Sequence, residues 1–511
     1  MFGWNISYAT PSAFESGKGR ALLGLSVDEG RRIRFKGKIK PGSVFLVRTA
    51  MRALAEVLWS NDYWNWDGFF NTLDPVFTVH PDKLFLEAFS QDQTAHVCLG
   101  LNRDLFETEG EVLCGSSNVD FTSWLWSALG EMRTSRATWL HIDSKGLELQ
   151  TVGAGGRFEK KVEVPESWVR GFLEIQAAAS MPGTRVRMKP VDLLSVIRFL
   201  RYSKPKTSPR ALRYEFEPGQ PVRIVVEPWE ESFILRDSEH DFEKNKVVRL
   251  WGRKRLALLE PLLPFAEEVE VFLKGRALPS FYALKLPGIE FHLGISGHGY
   301  SRWSEGEGFH LLGSAEKPEP EKLEQAEQLL SESFHLSSKE LSRQAGVDKG
   351  AAEASLAELC RIGKAFYLPH EQSYRARSLF RKPPELERIF PPSMKVEQAA
   401  ALVREGKVEV RSCEPRETRK IKRLASPSGP VVKEIVYRDW CLEGKVGDQD
   451  QVEVVLNDVD RIIFARCGCE HFREHLLNQG PCEHMLALRS AGEELRRDLP
   501  TSHSVTEEEG E

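Results

Sequence analysis

Residues Arg466 to Leu488 read RCGCEHFREHLLNQGPCEHMLAL. The chain has 8 cysteines and 13 histidines, and three of each fall in this stretch. Two metal patterns overlap here. One is Cys467-x-Cys469 followed by Cys482-x-His484. The other is His471-x-x-Glu474-His475, the spacing of a catalytic zinc helix.

Cys467 and Cys469 follow the apolar run RIIFA. Residues two apart on extended chain point to one side, so both thiolates can face one ion. Gly480-Pro481 breaks the chain, and Pro481 pre-sets the entry to a helix over CEHMLAL. Cys482 and His484 then lie at or just before its first turn, where the helix N-terminus favours a thiolate. Three sulfurs and one nitrogen complete a tetrahedral shell, which marks a closed structural zinc site. The rival pair, His471 and His475, would share a helical face with Glu474 as base. It needs a third ligand and an open position, and it leaves the cysteines without a role.

Cys467-x-Cys469, Cys482-x-His484 and the trailing MLAL resemble the SWIM zinc finger, a β-β-α module. Its ligand pattern is matched in full, which implies Cys467, Cys469, Cys482 and His484 as ligands of one structural zinc ion. Other stretches are similar to bacterial proteins of the SWIM zinc finger family: DPVFTVHPDKLFLEAFSQD from Asp74, LPSFYALKLPGIEFHLGISG from Leu278, GKAFYL from Gly363 and GPCEHMLAL. The resemblance implies DNA or protein binding, in some members beside a helicase-like ATPase, and no established catalytic activity.

Composition sets the frame. The 511 residues predict about three domains, and 41% hydrophobic with 28% charged content is that of a globular chain. A net charge of −5 means that nucleic-acid binding must use local basic patches. The opening MFGWNISYAT lacks a basic segment followed by an apolar run, and no stretch is apolar enough to span a membrane. Sparse, isolated cysteines suit a reducing compartment, so a cytoplasmic protein is expected.

Two proline-bearing seams divide the chain, SAEKPEPEK (Ser314 to Lys322) and RKPPELERIFPPS (Arg381 to Ser393). The expected fold class is α+β multidomain. Residues 1–313 form a large mixed α/β region of unknown role, with hairpins starting at Val76, Trp139, Val222 and Tyr282. Helical patterns occupy Pro190 to Arg201 and Arg255 to Phe265, and the irregular hairpin spacing leaves duplicated α/β units open. Residues 318–382 predict three helices, with Ser337 or Ser338 and Asp348 as N-caps, then two short strands. That pattern describes a winged helix-turn-helix. Residues 394–492 form the SWIM-type ββα module, and 493–511 an acidic tail expected to be disordered.

Three basic runs are candidate nucleic-acid or partner surfaces. They are Arg198 to Tyr214 (with Arg201, Lys204, Lys206 and Arg210), Lys244 to Arg255 (with Arg253, Lys254 and Arg255), and RETRKIKR, Arg416 to Arg423 (with Arg419, Lys420, Lys422 and Arg423). The competing reading is solvated loops and helix ends. Tyr202, Tyr214 and Trp251 offer rings for stacking. Lys349, Glu353, Glu358 and Arg361 on the third helix of the 318–382 region suit base reading poorly, although Arg375 and Arg377 on the wing offer phosphate contacts. WSNDYWNWDGFF, Trp59 to Phe70, reads as a partner site or as core aromatics. His80-Pro81-Asp82 reads as a turn, and with Asp74 as a metal cluster in the rival reading. ESGKGR, GAGGR and GISGHG each lack the spacing of a phosphate loop, dinucleotide fingerprint or nucleophile elbow.

The expectation is a non-enzymatic, zinc-binding accessory or adaptor protein that binds nucleic acid or a protein partner. The alternative is a zinc-dependent hydrolase using residues 471–475.

Overall fold

The computed structural model describes residues 13–17, 20–24, 33–60, 75–118, 123–143, 146–151, 166–180, 183–204, 210–238, 240, 245–274, 279–296, 303, 318–379, 394–426, 429–456, 462–475 and 481–497. The seam Arg381 to Ser393, most of Trp59 to Phe70, Asp74, GAGGR and most of the acidic tail fall outside them, whereas the first seam is described from Pro318 and, instead of a linker throughout, starts a helix at Pro320. The chain divides into two compact units, Met1–Glu227 with Ser232–Glu385, and Leu386–Glu511 with Pro228–Glu231.

In the first unit a short hairpin, β1 (Ala13–Gly17) with β2 (Arg20–Gly24), precedes a motif that recurs: one strand, one helical segment, then a run of antiparallel strands. The first copy is β3 (Phe35–Ile39), α1 (Val44–Trp59), β4 (Val76–Val79), β5 (Lys83–Phe89) and β6 (Ala95–Asn102). After the short β7 (Phe106–Thr108), the second is β8 (Gly115–Asn118), α2 (Ser123–Glu131), β9 (Thr138–Asp143) and β10 (Gly146–Thr151). Helix α3 (Glu166–Ser180) separates the halves. The third copy is β11 (Thr184–Met188), α4 (Pro190–Tyr202), β12 (Leu212–Phe216), β13 (Val222–Val226) and β14 (Glu231–Leu235). The fourth is β15 (Lys246–Leu250), the 3-10 segments Arg253–Leu259 and Leu263–Phe265, then β16 (Glu268–Leu273), β17 (Ser280–Leu286) and β18 (Ile289–Ile295).

The opening strands are exchanged between copies. Strand β3 pairs with β9 and β8 with β4, just as β11 pairs with β16 and β15 with β12. Strands β6 and β18 then pair edge to edge, giving an eight-stranded sheet in the order β11-β16-β17-β18-β6-β5-β4-β8. All four predicted hairpins are present. The first turns at His80-Pro81-Asp82, where the His80 N–H donates to the Lys83 carbonyl at 2.9 Å. The segment Arg255 to Phe265 differs from the predicted helix. Pro261 and Pro264 remove two amide donors in four residues, and short 3-10 turns result.

Strands β5 and β6 are buried almost throughout, because both faces of the sheet are covered. Helix α1 packs across β5, β6 and β18; its buried Val47, Ala50, Met51, Leu54, Val57 and Leu58 recur at helical spacing. The other face meets the last part of the unit. There α5 (Pro320–Ser333), β19 (His335–Leu336), α6 (Ser338–Ala345), α7 (Lys349–Arg361), β20 (Ala365–Leu368) and β21 (Ser373–Ala376) enclose their own apolar core. Ser337 and Glu340 form a reciprocal capping box at α6, and Asp348 caps α7 through the Ala351 N–H. Gly346, at φ 67°, ends α6 in the left-handed conformation that glycine adopts without strain.

This three-helix segment is bound to the sheet by buried polar contacts. One Arg377 amino nitrogen donates to both oxygens of Glu87, at 2.8 and 2.6 Å. Its guanidinium lies over Phe172 and Phe366. Burial opposes ionisation of Glu87, but Arg377 and His96 together hold its carboxyl below the usual range. Arg375 donates to Asp82 and Glu371, and Phe85 meets Phe366 edge-on. The two arginines expected on a phosphate-contacting wing are therefore internal, 3% exposed each. Helix α7 packs against α3, and its Lys349 and Arg361 pair with its own Glu353 and Glu358.

Arg377→Leu is expected to destabilise this unit by about 3–5 kcal/mol, since it strands a buried carboxylate. Pairing it with Glu87→Leu should restore most of that loss. Urea unfolding of both variants checks this; a double variant no more stable than the single one contradicts it.

Candidate metal centre

The second unit begins with α8 (Met394–Arg404), followed by the antiparallel strands β22 (Val408–Ser426), β23 (Gly429–Val446), β24 (Gln449–Leu456) and β25 (Ile462–Arg466). Two short helices, α9 (Glu470–His475) and α10 (Glu483–Arg497), complete it. Helix α10 lies on α8 and on β22, β23 and β24. Gly444 allows that approach: a Cβ there would sit 2.4 Å from the Glu409 carbonyl and 2.7 Å from Leu488 Cδ1.

Cys467 and Cys469 follow β25 directly, and Cys482 immediately precedes α10. The Leu486 N–H donates to the Cys482 carbonyl at 3.1 Å, so the helix starts on the ligand. The donor atoms of Cys467, Cys469, Cys482 and His484 all lie within 4.8 Å of one another. The three cysteines are buried, within a core of Leu442, Val446, Val454, Met485 and Leu488. The group can hold a metal ion, and its donor set is one that a tetrahedral divalent ion accepts.

The local chemistry fits a cation. A hydrogen bond with Cys467, reinforced by burial, pushes the Cys482 thiol up to about 12. Burial also raises the Cys469 thiol. The hydrogen bond with Cys482 instead lowers the Cys467 thiol, and a dication would replace the protons that Cys469 and Cys482 hold. His484 Nδ1 is buried without a hydrogen bond, 3.4 Å from Glu483 Oε1, whereas Nε2 lies 3.7 Å from Asp448 Oδ1. Each ring nitrogen thus has a carboxylate oxygen within 4 Å. Asp448, in the β23–β24 turn, escaped the sequence reading because nothing in a linear pattern couples it to His484.

His471 is not part of the cluster. Its Nε2 lies 3.1 Å from Lys395 Nζ, an arrangement that opposes a second cation there. The side chains of Glu474 and His475 lie outside the described residues.

The basic runs have different fates. Arg201 pairs with Glu260 at 3.2 Å, Lys204 and Arg210 are exposed, and Lys206 is not described. Lys254 is exposed, but Arg253 and Arg255, expected on a surface, are internal. Arg253 donates to the Ala211 and Glu227 carbonyls, and Arg255 contacts Ser60, Asp92 and Thr94. Tyr214 is buried against Tyr282, while Tyr202 is 83% exposed. Arg419, Lys420, Lys422 and Arg423 fall on β22, opposite Val436, Ile435, Lys433 and Val432 of β23.

No protein-family profile matches the chain, and no curated protein is detectably similar. Among solved structures it is similar to a proliferating cellular nuclear antigen from Entamoeba histolytica, at 13% identity and a TM-score of 0.34. The match covers 51% of this chain and 98% of that one. A likeness of that degree carries neither fold nor function across. Among the described residues, no helix is long and apolar enough to cross a membrane.

Chelation, or Cys482→Ser, is expected to open residues 394–497 to limited proteolysis while the first unit stays resistant. Metal affinity should fall as pH is lowered, because protons compete for the thiolates; competition with a chromophoric chelator at several pH values measures it. Gly444→Ala should cost this unit about 1–3 kcal/mol through overpacking, read from its thermal transition.

Proposed function

We propose that this protein is a non-enzymatic accessory factor that binds nucleic acid, with a structural zinc ion at Cys467, Cys469, Cys482 and His484. The reading rests on one observation. Strand β24 pairs with β23 only as far as Trp440↔Leu456, yet β22 and β23 remain paired to Ser426↔Gly429. Residues 416–426 and 429–438 are thus a two-stranded ribbon without a third strand among the described residues. That ribbon carries seven Lys or Arg and two Glu, a net +5 within a chain of net −5.

A basic two-stranded ribbon can follow phosphates or enter a groove. The zinc acts at its base, where β25 and α10 close the core beneath it. Cys467-x-Cys469 followed by Cys482-x-His484 after strand β25 supports a SWIM-type module. The succession α5, β19, α6, α7, β20, β21 supports a winged-helix-like element. With α7 against α3 and its wing arginines internal, that element serves docking within the chain rather than base reading.

Replacing Arg419, Lys420, Lys422 and Arg423 together by alanine should weaken duplex binding. The log–log salt slope should flatten by up to about 4, near 0.9 per lost phosphate contact. Fluorescence anisotropy at graded salt measures this. An unaltered slope, or no binding by the parent, rules the reading out and leaves a protein partner.

A further inference from the structure

A second cluster lies in the first unit, where the β20–β21 turn meets the eight-stranded sheet. Glu290 and His292 are two residues apart on β18 and share its face. His370 reaches them from the turn. Their donor atoms all lie within 4.8 Å of one another. The His292 and His370 rings are 4.3 Å apart, centroid to centroid.

Four buried polar atoms here have no hydrogen-bond partner: His292 Nε2, both His370 ring nitrogens and Glu290 Oε2. His292 is only 7% exposed. His370 Nε2 lies 3.0 Å from Glu290 Oε2, close enough for either a shared proton or a cation to bridge the two. A spacing of about 3.0–3.4 Å is what two ligands of one ion adopt when each metal–ligand bond is about 2.0–2.1 Å.

The surroundings fit a cation. Lys83 donates to Glu290 Oε1 at 2.7 Å and to Glu371 Oε1 at 2.6 Å, leaving Glu290 Oε2 for another partner. Such outer contacts fix a ligand carboxylate. Lys83, Glu290 and Glu371 sum to −1 beside two imidazoles, and Arg375 balances Asp82.

We infer that Glu290, His292 and His370 form a second metal site, taking a divalent first-row transition ion through two nitrogens and one oxygen. Two histidines and a carboxylate, with further positions open to water, suit such ions. The ion ties the β20–β21 turn to β18, joining the three-helix segment to the sheet.

Cobalt(II) added anaerobically to the full-length, metal-stripped chain tests this. The parent should bind two equivalents, one with an intense thiolate-to-cobalt band and one without. His370→Gln, a change in a turn, should bind one and keep that band. Cys482→Ser should lose the band and retain the nitrogen/oxygen-bound equivalent, so failure at the cysteine site is separately visible. If His370→Gln is poorly folded by circular dichroism, Glu290→Gln takes its place. A single equivalent in the parent leaves an ordinary imidazole–carboxylate pair and overturns the assignment. Two equivalents retained in the folded variant mean adventitious binding elsewhere and overturn it equally.

Discussion

Three thiols packed within one apolar core must either stay protonated or give up their protons to a cation. Every other part of the C-terminal unit is arranged around that demand. Strand β25 ends where the first two thiols are needed, and α10 begins where the second pair is needed. The hydrophobic contacts of Leu442, Val454, Met485 and Leu488 continue the ligand shell rather than stand apart from it. A dication in place of the protons joins two chain segments that the local sequence alone leaves unlinked, which is how small metal modules obtain much of their folding free energy.

The sequence carries the local structure well. Hairpins over Val76 to Phe89 and Tyr282 to Ile295 are legible from alternating apolar residues around Pro-Asp and Pro-Gly turns, and the caps Ser337 and Asp348 mark helices that form. The fourfold strand–helix–meander pattern was not legible. Its copies differ in length, the fourth replaces a helix with proline-bearing 3-10 turns, and the opening strands pair outside their own copy. Pairing between distant strands leaves no periodic trace, so only the folded sheets reveal the repetition.

Charge misleads in a related way. KNKVVRLWGRKR reads as a solvated basic surface, yet Arg253 and Arg255 are turned inward onto carbonyls, hydroxyls and Asp92. Arg375 and Arg377 lie inside for the same reason: acids far away in the sequence, Asp82 and Glu87, receive them. A run of positive residues shows how much charge is present, while its direction depends on partners that the run does not contain. The cysteine pairs escape this ambiguity because all four ligands lie within eighteen residues. Glu290, His292 and His370 lie up to eighty residues apart, and nothing in the linear pattern brings His370 to the other two.

The free length of the β22–β23 ribbon sets a scale. Residues 416–426 span about 36 Å at 3.3 Å per residue, close to one turn of a duplex, about 34–36 Å. A two-stranded ribbon is only marginally stable in isolation. If the ribbon binds nucleic acid as proposed, any ordering of its outer half on binding would weaken the affinity. Shortening the ribbon by pairs of residues would preserve its register and alternation while changing its reach, so the arm acts as a ruler whose length and net charge are separable quantities.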